Sequence, residues 1–306
     1  MIDYKREQCR IIIQNDYHLF LKKQNVVGLA FGYKINENLN TKEPCLKVLV
    51  KEKVPSSNLK PEDLIPEIYR GFKTDIIETG DLSYSSLRSK NLPLQFGYSI
   101  GPANVELVGS AGCLVKDCCK NYYILSNSHL FSFFDTLPIG TPILHPGVKD
   151  GGIYPKDLIA ILSKTVPIIS SIGDPFIINY VDCALAKIIN PRLITKKLAL
   201  IGNIKGLCPA TLELNVKKVG RTTSLTTGMV IALDAVIALE DFNDNKQIFV
   251  DQIITTHMSD KGDSGSLVLD KNNNAIGLIF ANSSSISILN PIKLVLDALK
   301  VSIVTS

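Results

Sequence analysis

The sequence predicts a mainly β protein with a small α+β region at its N-terminus and a short helix near its C-terminus. Three observations predict it. From Gly97 onward, short apolar and β-branched runs recur between Gly, Asn, Asp and Pro, the texture of many short strands joined by turns. Ahead of them lies a stretch of mixed helical and extended patterning that ends in the polar, Ser-rich segment Asp81–Asn91. Near the C-terminus Ile292, Leu294, Val295, Ala298 and Leu299 fall on one helical stripe, with Asn290 suited to cap and Pro291 suited to the first helical position.

The elements follow in order. Residues 1–24 place Ile12, Ile13, Leu19 and Leu21 among polar residues, an imperfect helical period. Val26–Ile35 is rich in glycine and β-branched residues and reads as a strand, followed by a polar turn at Asn36–Asn40. Cys45–Lys51 alternates as a second strand, Leu59–Pro66 is a turn or a single helical turn, and Thr74–Thr79 is a further strand. Asp81–Asn91 is a linker. Beyond it the runs Ala111–Lys116, Tyr122–Leu125, Ile159–Leu162, Val181–Ile189, Met229–Ala238, Ile248–Thr256, Gly265–Leu269 and Ala275–Ala281 imply a sandwich or a barrel. Gly109–Val115 echoes Gly262–Val268 at four of seven positions, as two similar barrels would.

Composition narrows the function classes. The chain of 306 residues is 45% hydrophobic and 20% charged, which suits a globular protein with a sizeable core. A net charge of +4 is too weak and too dispersed for a nucleic-acid partner. The basic start at Lys5, Arg6, Arg10, Lys22 and Lys23 reads as a solvated helix face. Ile11–Ile13 is too short for the apolar core of a secretory signal, and no stretch approaches the roughly 20 apolar residues of a membrane helix. A soluble, cytoplasmic protein without a membrane partner is expected. The seven cysteines, Cys9, Cys45, Cys113, Cys118, Cys119, Cys183 and Cys208, are odd in number and irregularly spaced, so they read as reduced thiols. Cys113, Cys118 and Cys119 lack a second Cys/His pair at zinc spacing, and neither a metal nor a cofactor is expected.

One constellation carries chemistry. Serine attacks a carbonyl at neutral pH only with a base in reach, a group orienting that base, and donors for the developing negative charge. Gly262-Asp263-Ser264-Gly265 is a Gly-flanked loop running into an apolar strand, in which the N–H groups of Gly262 and Ser264 can face one point and form an oxyanion hole. The same four residues also describe an ordinary polar turn. Of the four histidines, His18 lies in the N-terminal helix, His145 in a loop, and His257 too close along the chain to Ser264. His129 follows the strand Tyr122–Leu125 and the small polar residues Ser126-Asn127-Ser128, which sets an imidazole at a strand end. Asp182 is a lone carboxylate in an apolar run, where burial requires a partner such as an imidazole N–H, unless it faces water at a strand edge. Asp135 and Asp174 are rivals in loops.

The order His129, Asp182, Ser264 resembles that of chymotrypsin-like serine proteases and differs from subtilisins and α/β-hydrolases. Val219–Val230, with Gly220-Arg221-Thr222-Thr223, resembles the opening strands of the second barrel in bacterial trypsin-like peptidases, and Gly277–Asn282 their substrate-binding strand. Val27–Lys34, Phe72–Gly80, Leu144–Gly147 and Asp150–Gly152 are similar to a bacterial subgroup related to the narrow-leaf proteins of plants. The resemblance implies two antiparallel six-stranded β-barrels of chymotrypsin type: residues 91–198 with His129 and Asp182, and residues 199–306 with Ser264 and the C-terminal helix, behind an N-terminal region of residues 1–90.

Departures from the digestive relatives bear on specificity. Leu130 stands where they carry a disulfide cysteine, and Asp260 where their pocket disulfide has one; both fit a reducing compartment. Met258 occupies the position, six residues before the serine, that holds an aspartate in trypsin-type enzymes. A pocket of Met258, Ser259, Phe280, Ala281 and Asn282 would take a small or apolar side chain. Activation by a freed N-terminus is not expected, because about 95 residues precede the first barrel. The expected function is an intracellular serine endopeptidase acting on protein or peptide substrates, a regulated effector with an activating or regulatory protein partner. The alternative is a protease-like module that grips a peptide or protein without cutting it, which would keep its effect when Ser264 is replaced.

Overall fold

A computed structural model describes residues 2–36, 39–80, 87–171, 176–240 and 245–305. Residues 81–86 of the expected linker, and the rival carboxylate Asp174, lie outside the described residues. The chain divides into two compact units, Met1–Tyr84 and Ser85–Ser306.

In the first unit the helix Ile2–Leu21 lies on a four-stranded sheet ordered Val26–Asn36, Leu39–Val50, Phe72–Glu78, Ile68–Tyr69. Cys9 and Phe20 of the helix bury against Val26, Leu46, Val48 and Phe72 of the sheet. Each such fully buried large apolar side chain contributes about 1.5–3 kcal/mol relative to exposure. The second strand begins at Leu39, earlier than its alternation suggests, and pairs Leu39 with Asn36 where a longer turn was expected. Backbone pairing with the first strand recruits these polar residues, whose own pattern carries no strand signal. The expected turn at Leu59–Pro66 holds a 3₁₀ turn at Pro61–Asp63.

The second unit contains two large, mainly antiparallel sheets, each of which closes on itself, and a small three-stranded sheet of Gly202–Asn203, Ile194–Leu198 and Leu94–Phe96. The first runs in the order Cys113–Lys116, Tyr122–Ser126, Ala184–Ile188, Leu158–Thr165, Pro142–Leu144, Ser99–Pro102, Gly109–Ser110, with Ser302–Ile303 outside Cys113–Lys116. Only Ala111 and Gly112 separate Gly109–Ser110 from Cys113–Lys116, so both ends of the sheet are one stretch of chain and six stretches make a barrel. The second sheet passes through Asn274–Asn282, Leu267–Asp270, Asn215–Gly220, Ser224–Glu240, Lys246–Thr256 and Ile286–Pro291. It then returns by direct pairing of Ile286–Pro291 with Asn274–Asn282. Gly206–Leu207 adds a short parallel edge to it. Closure leaves no long unpaired edge in either sheet. Phe96, Ile100, Ile124 and Leu162 fill the first core, and Val216, Val230, Ile253 and Leu289 the second.

The helix near the C-terminus is present as Ile292–Leu299, with Val295, Leu296 and Leu299 buried. Its start differs from expectation. Pro291 occupies the cap position and Asn290 does not cap, because the Asn290 side chain is buried and committed elsewhere: its Oδ1 accepts from the Asp182 N–H and its amide donates to Gln252 Oε1. Among the described residues no helix is long and apolar enough to cross a membrane.

Candidate active site

The strand Tyr122–Ser126 buries its last three residues and passes through extended Asn127 into a single helical turn, Ser128–Phe131, that carries His129. The first N–H groups of a helix have no internal acceptor. Asn127 does not supply one with its own side chain; its amide instead donates to the Asp182 carbonyl at 2.8 Å. The acceptor comes from 54 residues away. Asp182 Oδ1 takes the Ser128 N–H at 2.7 Å and the His129 N–H at 3.0 Å, while Oδ2 takes the imidazole Nδ1 of His129. A carboxylate can only accept, so Nδ1 carries the proton and Nε2 keeps its lone pair.

Asp182 is 2% exposed and stands just before the strand Ala184–Ile188, inside the run read from sequence as a continuous strand. The strand starts late because the Asp182 N–H pairs with the Asn290 side chain, outside the ladder. Gln252 secures Asn290 and itself donates to the Tyr180 carbonyl at 2.9 Å. Both amides are fully buried and come from the second barrel, so the carboxylate of the first barrel is braced from the second. The imidazole is part-exposed at 18%, and the Phe134 ring lies 5.8 Å from it. Phe133, Phe134 and Asp135 all sit at positive φ directly after this turn, strain of the kind that gathers at functional sites. The rival Asp135 bonds Ser132 Oγ and the Ile168 N–H.

Ser264 approaches from the second barrel. Gly109 marks the meeting point, since a Cβ there would lie 2.5 Å from Leu130, the neighbour of His129, and 2.8 Å from the Ser264 carbonyl. The Ser264 hydroxyl makes no hydrogen bond among the described residues.

The backbone of the serine loop shows a regular division. Every carbonyl from Lys261 to Ser264 is engaged: Lys261 by Thr222 Oγ1 at 2.9 Å, Gly262 by Ser110 Oγ at 3.1 Å, Asp263 by the Ser266 N–H at 3.0 Å, Ser264 by the Ser110 N–H at 2.8 Å. The N–H groups of Gly262 and Ser264 bond nothing among the described residues. Ser110 thus holds two carbonyls of the loop. Its only sequence signal is the Gly109–Val115 echo.

Asp263 lies beneath the loop, fully buried. Its Oδ1 accepts from the Thr222 and Thr223 N–H groups, and its Oδ2 from Thr223 Oγ1, the Asp260 N–H and Lys218 Nζ at 3.3 Å. Burial pushes its pKa up, but the Lys218 charge and these donors outweigh it and leave the carboxyl below its usual range. Burial also lowers the Lys218 pKa, and Asp263 only partly offsets that. A carboxylate with this many donors is stable as the anion. The cation answering Asp263 therefore comes from inside the second barrel.

Gly265 is boxed in at φ +87, where an added Cβ would lie 2.1 Å from Ser126 Oγ and 2.4 Å from the Ser110 carbonyl. Gly265→Ala is expected to cost about 2–5 kcal/mol, left-handed strain plus overpacking. Urea unfolding measures it, and a loss under about 0.5 kcal/mol would contradict this packing.

The other histidines take structural places. His145 lies in a loop, as expected, and is buried there; its Nδ1 donates to the Ser99 carbonyl and its Nε2 accepts from the Asn91 N–H, and burial lowers its pKa. His257 bonds the Ser283 carbonyl and faces Asp260 at 3.6 Å.

No protein-family model matches the chain. No curated protein matches it in sequence. Solved structures do match in shape. Protease A from Thermobifida fusca is 16% identical over 69% of this chain and 98% of its own, with a TM-score of 0.50. Nocardiopsis protease is 14% identical over 69% and 98%, with a TM-score of 0.51. A glutamic acid specific serine protease, described as using a histidine triad in substrate binding, is 18% identical over 69% and 100%, with a TM-score of 0.50. The fold is that of the chymotrypsin-type serine proteases. At these identities the likeness is one of fold, and the plant narrow-leaf subgroup finds no counterpart among these structures.

Within this protease fold Met258, Ser259 and Phe280 of the five expected pocket residues are buried. Met258 is 2% exposed and packs into the second barrel core with Val230 and Ile253; its sulfur would lie 2.9 Å from a Cβ on Gly228. Phe280 packs on Phe249, ring centroids 4.9 Å apart, in a separate cluster with Ile288. Ala281 and Asn282 are half-buried further along that strand. Ser287, unnoticed in the sequence, ties the group together: it accepts from the Met258 N–H and from Ser259 Oγ, and pairs with Asn282 across the strands.

Proposed function

We propose that this chain is a serine endopeptidase that hydrolyses peptide bonds through Ser264, His129 and Asp182. The observation that carries the reading is the imidazole locked through Nδ1 to a buried carboxylate, with Nε2 left as a base. The two unengaged N–H groups of the serine loop support it. His129 Nε2 takes the Ser264 proton as Oγ attacks the carbonyl, and the negative oxygen that develops is met by the Gly262 and Ser264 N–H groups. The imidazolium, held by Asp182, gives its proton to the departing amine and leaves an acyl ester on Ser264. Water, deprotonated by His129, then releases the acid.

The substrate is a protein or peptide. Met258 and Ser259 offer no charge to a basic side chain, and Asp260 is turned outward, 55% exposed on its side chain, so a small or apolar residue precedes the cut bond. The cysteines, all free thiols, support an intracellular setting. A regulated role with a protein partner rests on fold analogy alone.

A fluorophosphonate probe tests the reading. The intact protein is expected to take up label at Ser264, and Ser264→Ala to take up none. Absence of label at Ser264, under conditions that label an active serine protease, would overturn it, as would undiminished peptide cleavage by the alanine variant.

A further inference from the structure

The two free N–H groups of the serine loop need something to aim them. A trans peptide holds its C=O and N–H in opposite directions, so whatever grips a carbonyl also points the next N–H. The Asp263 carbonyl is gripped from within the loop, by the Ser266 N–H, and this aims the Ser264 N–H. The Lys261–Gly262 peptide has no such local anchor. Gly262, at φ +99, is free of the steric preference that would choose an orientation. Among the described residues its one tether is the hydroxyl of Thr222, 2.9 Å from the Lys261 carbonyl.

The direction of that tether is set by what stands behind it. Arg221 Nη1 lies 3.1 Å from Thr222 Oγ1, and a guanidinium can only donate. Thr222 Oγ1 therefore accepts from Arg221, and its single proton goes to Lys261. Arg221 in turn is gripped by Asp150 at 2.7 and 2.5 Å in bidentate fashion, and Asp150 also accepts from Ser99 Oγ at 2.6 Å. Arg221 and Asp150 are both buried, with side-chain exposures of 8% and 5%. The relay starts on the first barrel and ends on a peptide of the second.

We infer that Thr222 is a positioning residue that latches the Lys261–Gly262 peptide with its N–H toward the reacting carbonyl, with Arg221 and Asp150 fixing the direction of the latch. The inference rests on the serine protease reading above. The Thr222 hydroxyl is committed to Arg221 and Lys261 and acts through the peptide it holds; without it the Lys261 carbonyl is free to turn over and take the donor away.

The test compares Thr222→Val, which keeps shape and removes the hydroxyl, with Thr222→Ser, which keeps the hydroxyl. Loss of one such donor lowers kcat by about 10²–10³, and this is the ceiling for Thr222→Val. A fall in kcat of about tenfold or more with KM within about threefold is expected, with Thr222→Ser near the wild type. Inhibition by a peptide boronic acid, whose tetrahedral adduct places an oxygen where the oxyanion forms, should weaken in parallel. Should Thr222→Val fail to fold by circular dichroism, Thr222→Ala against Thr222→Ser gives the same contrast. The inference is overturned if hydroxyl-free variants keep kcat within about twofold, if only KM changes, or if Thr222→Ser loses as much. Wild-type labelling at Ser264 separates its failure from that of the parent reading: a labelled, active wild type with an unaffected Thr222→Val sinks the latch alone.

Discussion

Asp182→Asn is expected to lower kcat/KM about 10⁴-fold while leaving the fold intact, the size of loss seen when a triad carboxylate becomes an amide. The reason lies in three donors. The Ser128 and His129 N–H groups both point at Oδ1, so an asparagine must turn its oxygen to them and keep them satisfied. Its NH₂ then faces Nδ1 of His129, where Oδ2 stood. A donor there forces Nδ1 to accept, the ring proton moves to Nε2, and the imidazole has no lone pair for the Ser264 proton. The outer bonds survive, because the Asp182 N–H to Asn290 and the Asn127 amide to the Asp182 carbonyl are backbone contacts of residue 182. Steady-state kinetics with a peptide substrate, beside a thermal melt, checks this. A loss under about tenfold with an unchanged melt would mean that His129 does not depend on Asp182.

Lys218→Met is expected to destabilise the protein by about 3–5 kcal/mol, the cost of stranding a buried charge after its partner is removed. Lys218 and Asp263 are both fully buried, and Lys218 also bonds Thr223 Oγ1 and the Ser224 carbonyl. The pH dependence carries the sign. Asp263 has a folded pKa below its unfolded value, near 3.9. Its share of stability is complete above that unfolded value and is lost as pH falls through the folded one. In the variant burial acts without the lysine charge and moves the folded pKa up, so the decline begins at a higher pH. Urea unfolding across pH 3–7 would show the wild type flat to about pH 4, as far as this carboxyl is concerned, and the variant falling earlier. Coincident profiles would show that the backbone donors alone hold the carboxylate. Activity should fall too, because Asp263 sits between Gly262 and Ser264 and anchors the turn that carries Thr222.

Much of this protein is determined by its sequence alone. Alternating and β-branched runs placed eight of the strands of the second unit, the three longest among them, because a strand half-facing a core records its environment every second residue. The C-terminal stripe placed a helix for the same kind of reason. His129, Asp182 and Ser264 stand out by residue type and order, and Gly262 and Gly265 by the turn they permit. What the sequence could not show is pairing at a distance. Asn290 looked like a helix cap, since capping is local, yet its side chain answers residue 182. Nothing in the local sequence of Lys218 or Arg221 names a partner, yet each is buried against an aspartate 45 or 71 residues away. Met258 and Phe280 are both apolar and close to the serine along the chain, and only barrel closure assigns them to different apolar clusters. Serine, threonine and asparagine carry no periodic signal of their own, so only the tertiary structure decides which of them meets a buried charge or an orphaned carbonyl. That choice is fixed by the need to satisfy every polar group that barrel closure takes from water.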